Sequence, residues 1–236
     1  MSEWAMKRFW KEALAEPCEG GFAIKLDGRG VKTPAKTPLV VPTEGLAEAI
    51  AYEWQAQGEK VNPAEMPFTR TSNSALDKVA TQHAEVADML AAYGDSDLLC
   101  YRADHPEELV TRQSERWDPM LDWLLETYGT RLTTQAGVIH QPQDPLAVAA
   151  LAREVHAQSP FQLAAFHDLV AMSGSLVLAL AVTRGAVDAE AAWHLSRLDE
   201  EWQEEQWGPD EEATAIAERK RGEFLHAARF YALASA

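Results

Sequence analysis

The stretch that decides the fold is Phe22-Ala-Ile-Lys-Leu-Asp-Gly-Arg-Gly-Val-Lys-Thr-Pro-Ala-Lys-Thr-Pro-Leu-Val-Val41. Residues 22–27 alternate apolar and polar side chains, the period of a half-buried strand. Gly28-Arg29-Gly30 supplies a turn and Val31 to Thr33 pairs back. Residues 34–38 turn again, and Leu39-Val40-Val41 adds another short strand. Pro34, Pro38 and Pro42 fall at strand ends, where a missing N–H costs least. Upstream, residues 7–15 fit helix and strand equally. The first seventy or so residues therefore read as a small, twisted antiparallel element rather than a parallel sheet.

Downstream the period changes to that of helices. Thr43 caps a stripe of Leu46, Ala47, Ile50, Ala51 and Trp54, with Gly58 as its stop. Pro63 and Pro67 read as an extended linker. Ser72 or Ser74 caps a helix that reaches Tyr93 and ends at Gly94. Pro106 opens another through Leu109, Gln113 and Trp117, and Pro119 predicts a kink or break before Leu121. Residues 131–134 and Val138-Ile139 read as a short hairpin across Gln135-Ala136-Gly137. Further helical stretches are expected over 144–158, 160–184, 188–207 and 210 to the end. The expected architecture is an α+β N-terminal domain with a small antiparallel sheet (residues 1–74), followed by a mostly α-helical orthogonal bundle (residues 75–236) that carries the contact helix.

Composition fits that division. The chain has 236 residues, is 47% apolar and 25% charged, and contains forty alanines, the residue with the smallest helix cost. Acidic side chains outnumber basic ones 37 to 21, a formal net charge of −16. Such a surface repels phosphate backbones and anionic lipid, which stands against nucleic-acid binding and membrane docking. The longest apolar run, Leu176 to Val182, is far short of the roughly 20 residues a spanning helix needs. Cys18 and Cys100 lie far apart, with no spacing that suggests a disulfide framework or a zinc site. The opening Met1-Ser2-Glu3-Trp4 lacks the layout of a secretory or transit segment. The expected location is the bacterial cytoplasm, or the mitochondrial matrix for a processed eukaryotic form.

Catalytic signatures are missing. Gly28-x-Gly30 leads into a strand and has no third glycine, so it is no dinucleotide loop, and no P-loop exists. Gly94-Asp95-Ser96-Asp97 follows a helix rather than a strand, and reads as an Asp turn capping the next segment. The seven histidines include no HExxH and no i, i+4 pair. His167 and Asp168, about 100° apart on a helix, do not make a dyad by themselves. Gly174 most simply permits close helix packing. No catalytic residue, cofactor site or metal site is assigned.

The informative stretch for function is Trp193 to Gly208. Drawn as one helix, it places Ala191, Leu195, Leu198 and Trp202 on one stripe, the ordinary core face. Trp193, Ser196, Glu200, Gln203 and Trp207 fall within about 80° of one another on a separate face. Packing on the N-terminal unit would explain two tryptophans there; so would a partner surface with aromatic anchors around an acid. Residues 188–212, with ten acidic side chains and one basic, fit either a solvated face or a partner contact.

Several phrases taken together are similar to a known family. They are Phe9-Trp10-Lys11, Leu26-Asp27-Gly28-Arg29, Lys32-Thr33-Pro34-Ala35-Lys36, Glu53-Trp54-x-x-Gln57 and Met66-Pro67. They continue through Asp97-Leu98-Leu99-Cys100-Tyr101-Arg102, Gln113-x-x-x-Trp117-Asp118-Pro119 and Asp199-Glu200-x-x-Gln203-x-x-x-Trp207-Gly208. In this order the sequence resembles the assembly chaperones that bind the alpha subunit of the ATP synthase catalytic head. Gly30, in place of an expected proline, and the polar Thr71-Ser72-Asn73 are small departures.

The resemblance implies a β-containing N-terminal domain, a helical C-terminal domain, no catalysis and no nucleotide cofactor. It ties chaperone activity to the acid of the Asp-Glu-x-x-Gln segment, here Glu200, with Glu201 the neighbouring alternative. The expected function is a holdase, monomeric when free, that shields the lone alpha subunit until alpha–beta assembly. Its contact residues would be Trp193, Ser196, Glu200, Glu201, Gln203 and Trp207. The rivals are a hydrolase or lyase pairing Glu200 with His194 or His167, and an adaptor whose tryptophans all lie in its own core.

Overall fold

The computed structural model describes residues 7–235; the opening Met1-Ser2-Glu3-Trp4 lies outside them. In chain order the elements are β1 (Ala13–Cys18), β2 (Gly21–Leu26), β3 (Arg29–Gly30), β4 (Val40–Val41), α1 (Glu44–Ala56), α2 (Pro67–Asp77) and α3 (His83–Ala91). Then come β5 (Tyr101–Arg102), α4 (Glu107–Tyr128), β6 (Gln135–Ala136), α5 (Pro145–His156), α6 (Pro160–Ser173), α7 (Leu176–Thr183), α8 (Ala189–Ser196), α9 (Leu198–Trp207) and α10 (Glu211–Ser235). The fold is the expected one, a small antiparallel sheet followed by helices. The described residues form two compact units, one of residues 7–83, 159–165 and 229–235, the other of 84–158 and 166–228. The division differs from a single cut after residue 74, because late residues complete the first unit's core: Ala165, Phe230 and Ala234 pack with Trp10, Ile24, Ile50 and Trp54.

In the first unit β2 is the central strand. It pairs antiparallel with β1 from Ala13↔Leu26 to Cys18↔Gly21, and its other edge takes β3 at one end and β4 at the other. The turn after β2 is Asp27-Gly28, both at positive φ, so Arg29 and Gly30 are already paired strand rather than turn. Asp27 accepts the Lys11 and Glu12 N–H groups, which hold its carboxyl below the usual range and tie residues 11–12 beside the hairpin. Gly21 is obligatory: a Cβ there would stand 2.2 Å from the Val41 carbonyl oxygen. The ambiguous segment 7–15 becomes the entry to β1, because β2 offers it a partner edge.

Helix α1 buries Leu46, Ala47, Ile50, Ala51 and Trp54, the stripe read from sequence, and Thr43 caps it through the Leu46 N–H. It ends at Gln57, one residue before Gly58. The proposed linker is instead a 3-10 turn, Pro63–Glu65, and the start of α2. Pro67 opens α2 at the position where its missing N–H is no loss. No side chain of α2's own cap serves it. Glu53 does so from α1: its carboxylate accepts the Phe68 and Thr69 N–H groups and the Thr69 hydroxyl at 2.6–2.8 Å. Burial pushes this carboxyl up, against the pull of those donors. A helix from Ser72 or Ser74 to Tyr93 is not formed; α2 and α3 are separate, and Ser72 is buried inside α2.

The second unit is built around α7, whose residues Leu176 to Ala181 are all buried. A short helix apolar on every side has no solvent face and belongs at a centre. The expected single helix over 160–184 breaks at Gly174, whose φ of +69° closes α6, and Ser175 restarts the chain as the cap of α7. Gly174 is thus a helix stop rather than a packing notch. Every free N–H at the start of α7 is met. Ser173 Oγ accepts the Ser175 N–H, Asp97 those of Leu176 and Val177, and Ser175 Oγ that of Leu178. Asp97 is fully buried, and also accepts the Ser175 hydroxyl at 2.8 Å and the Leu99 N–H at 3.0 Å. The Asp turn read from sequence is present, and it caps two elements.

Two other stretches differ from the sequence reading in this unit. Of the kink or break expected at Pro119, the break is not formed: α4 continues through it, with Trp117, Leu121 and Leu124 buried along the helix. Packing there outweighs a penalty of about 3 kcal/mol for an interior proline. The hairpin over 131–139 is absent. Gln135-Ala136 pairs parallel with Tyr101-Arg102 instead. The Gln143 side chain takes both backbone groups of Thr133, and Val138 and Ile139 are exposed. No helix among the described residues is long and apolar enough to cross a membrane.

Burial raises the Asp97 pKa to about 6 from the ordinary 3.8. Folding therefore binds a proton between these values, and this group's contribution to stability is full below about pH 4 and falls as pH rises to about 6. The loss is about 3 kcal/mol by linkage. Denaturant titrations from pH 4 to 7 should show the wild-type advantage over Asp97→Asn shrinking by that amount. A pH-independent difference would mean that the carboxyl ionises normally.

Candidate functional site

In the second unit, α4 faces α8 and α9 across an open cleft of ≈ 1250 Å³. Its apolar floor comes from Ala191, Leu195, Leu198 and Trp202; its rim carries Glu107, Glu108, Glu115, Glu201 and Glu205 against Arg112 and Arg116. The stripe assigned to the core from sequence thus lines a cleft, with only Leu198 fully buried. The chain also breaks at Arg197, where backbone angles of −107° and 10° separate α8 from α9. A single helical wheel over 188–207 does not describe two helices.

The same break divides the six candidate contact residues. Trp193 is 4% exposed and packs its ring against Phe224, while Ser196, 7% exposed, hydrogen-bonds the Trp193 carbonyl. Both are core residues of the second unit. Glu200, Gln203 and Trp207 all lie on α9 and share its outer strip at i, i+3 and i+7. Trp207 is 79% exposed, so not every tryptophan serves the chain's own core. Glu200 pairs with Arg197 at 2.8 Å and does not line the cleft. Glu201 does line it, held by His194 Nδ1 at 2.6 Å.

The seats of α8 and α9 are set by α4 side chains that sequence reasoning quoted only as part of a pattern. Trp117 donates its indole N–H to the Leu195 carbonyl at 2.8 Å, near the end of α8. Gln113, buried, accepts the Ala103 N–H and donates to Asp199 at 2.7 Å in the first turn of α9. Asp118 pairs with Arg102, whose guanidinium also lies over the Trp117 ring. Asp199, Glu200 and Glu201 stand together in the first turn of α9, where the helix dipole favours carboxylates. The visible signal was Gln113 and Trp117 at i and i+4 and the run of acids from Asp199; their partners were not visible.

The rival catalytic pairings are not assembled. His194 holds Glu201 and Glu190, and Glu200 holds Arg197. His167 does meet its neighbour, Nδ1 to Asp168 Oδ1 at 2.9 Å, contrary to the expectation from helical angle; the short Asp side chain bends across one residue step. That bond raises the His167 pKa. Among the described residues no group of three or more His, Cys, Asp or Glu side chains is placed to hold a metal ion.

An open cleft floored by Ala191, Leu195, Leu198 and Trp202 thus lies beside the exposed strip of α9. Residues 7–125 match the family model for the ATP12 chaperone protein, and the chain belongs to that family, the chaperones of ATP synthase assembly. The crystal structure of Atp12 from Paracoccus denitrificans is similar at a TM-score of 0.94 and 50% identity, covering 97% of this chain and 98% of that one. A mutant of the same Paracoccus protein gives a TM-score of 0.95 at 50% identity, over 97% of each chain. The mitochondrial protein atp12 of Schizosaccharomyces pombe is 27% identical over 224 residues, 90% of this chain and 77% of that one.

Truncating Gln113 would take this partner from the partly buried N–H of Ala103 and from the Asp199 carboxylate. Gln113→Ala should cost about 2 kcal/mol in denaturant unfolding and speed amide exchange across residues 198–207. Glu200→Gln should change neither. Unchanged exchange in α9 of the Gln113 variant would show that this bond does not seat the helix.

Proposed function

We propose that this chaperone holds the free alpha subunit of the ATP synthase catalytic head until beta subunits take its place. The observation that carries the reading is the cleft together with the neighbouring outer strip of α9: apolar floor, acidic rim, and an exposed tryptophan beside Glu200 and Gln203. The resemblance of the Asp199-Glu200-x-x-Gln203 segment supports alpha as the client. An unassembled subunit exposes the apolar surface that its neighbours later cover, and aggregates through it. Indole and leucine side chains shield such a surface, while carboxylates meet its basic and N–H groups. The action is binding alone, with no bond made or broken and no cofactor consumed. The free chaperone is monomeric and works in the bacterial cytoplasm, or in the mitochondrial matrix for a eukaryotic form. Affinity is moderate, so that beta displaces it by mass action.

Of the six contact residues expected from sequence, Glu200, Glu201, Gln203 and Trp207 remain in this reading. Co-expression with isolated alpha should keep alpha soluble and co-purifying, and co-expression with isolated beta should not. Glu200→Lys and Glu201→Lys, both at half-exposed side chains, should each reduce alpha capture about tenfold with the fold intact. Equal recovery of alpha by wild type and both variants would overturn the assignment.

A further inference from the structure

The cleft already holds a guanidinium, its own. Arg112 of α4 donates two hydrogen bonds to the two carboxylate oxygens of Glu205 on α9, each at 2.8 Å. Its guanidinium carbon stands 4.7 Å from the centre of the Trp202 ring. A flat aromatic face combined with a forked carboxylate selects guanidinium over ammonium, because only the planar fork stacks and binds both oxygens at once.

The pair is open to exchange: its side chains are 34% and 52% exposed, so water and a competing guanidinium both reach it. A displaced Arg112 also has somewhere to go. Glu108 and Glu115, four residues before and three after it on α4, are its neighbours on the same helical face and both line the cleft. The rim has more carboxylates than arginines, so the charge that suits the cleft is positive.

We propose that Trp202 and Glu205 form a guanidinium seat that Arg112 fills in the free chain and yields to an arginine of a partner segment with apolar neighbours. The proposal rests on the reading of the cleft as part of the client site. Exchange of one guanidinium for another leaves the charge balance of the seat unchanged. Net affinity then comes from the partner's apolar side chains on Ala191 and Leu195, reduced by the cost of evicting Arg112. A built-in competitor of this kind keeps the grip temporary, as a chaperone displaced by a later subunit requires.

Fluorescence anisotropy tests the seat on the full chain, using a labelled twelve-residue amphipathic peptide with leucine and three arginines, and its lysine twin. Wild type should prefer the arginine peptide about threefold. Arg112→Ala should bind it about fivefold more tightly than wild type, since no competitor remains. Trp202→Leu and Glu205→Gln should each weaken binding and abolish the arginine preference. The proposal is overturned by equal or weaker binding to Arg112→Ala, by a preference that survives Trp202→Leu, or by no saturable binding at all. Capture of alpha by the same variants separates the two readings. If the peptides behave as expected and alpha is not captured, the seat stands and the client assignment falls.

Discussion

A carboxylate without access to water stands at the head of the most buried helix, and the second unit is arranged around it. Asp97 answers the first N–H groups of α7, and through Ser175 the next one. In an apolar interior those groups have no other partner, and each left unmet would cost about 1–3 kcal/mol. The charge is stabilised by the same donors and by the positive end of the helix. The residues that follow are tied down as well. The Leu98 N–H bonds the Gly174 carbonyl, the Leu99 N–H bonds the Asp97 carboxylate, and Arg102 bonds the Leu99 carbonyl and Asp118. Arg102 thereby meets α4, and α4 in turn seats α8 and α9 through Trp117 and Gln113. An unbroken series of contacts thus runs from the buried acid to the helices that line the cleft.

The first unit uses the same device. Glu53 lies in α1 but caps α2, a helix that starts at a proline and has no capping side chain of its own. In both units a carboxylate from one element answers the N-terminal N–H groups of another, which fixes position and not only stability. This explains why acids quoted as isolated letters in short phrases, Glu53 before Trp54 and Asp97 before Leu98, sit in fully packed surroundings.

Much of this was legible in the residues. Alternation over 22–27 gave β2, Thr43 and its apolar stripe gave α1, and the Asp before residue 98 gave a cap. Local rules failed where a distant partner decides. Pro119 reads as a breaker until Trp117 and Leu121 are known to be buried along α4. Gln135-Ala136 pairs with a strand over thirty residues away. The site suffered most from one break. Arg197 divides the acidic stretch, and Trp193 turns to Phe224 and Trp202 to the cleft, the reverse of what the helical wheel predicts. Glu200, Gln203 and Trp207 kept their common strip because they follow the break together.

Client binding, as read here, needs no moving catalytic part: it needs an apolar floor, a rim of the right charge, and a helix held at a fixed angle. Hydrogen–deuterium exchange on the purified complex with alpha reads that surface directly. Exchange should slow in residues 107–116 and 191–207 on complex formation, with the first unit's sheet unchanged. Protection confined to residues outside those two segments would put the client elsewhere on the chain.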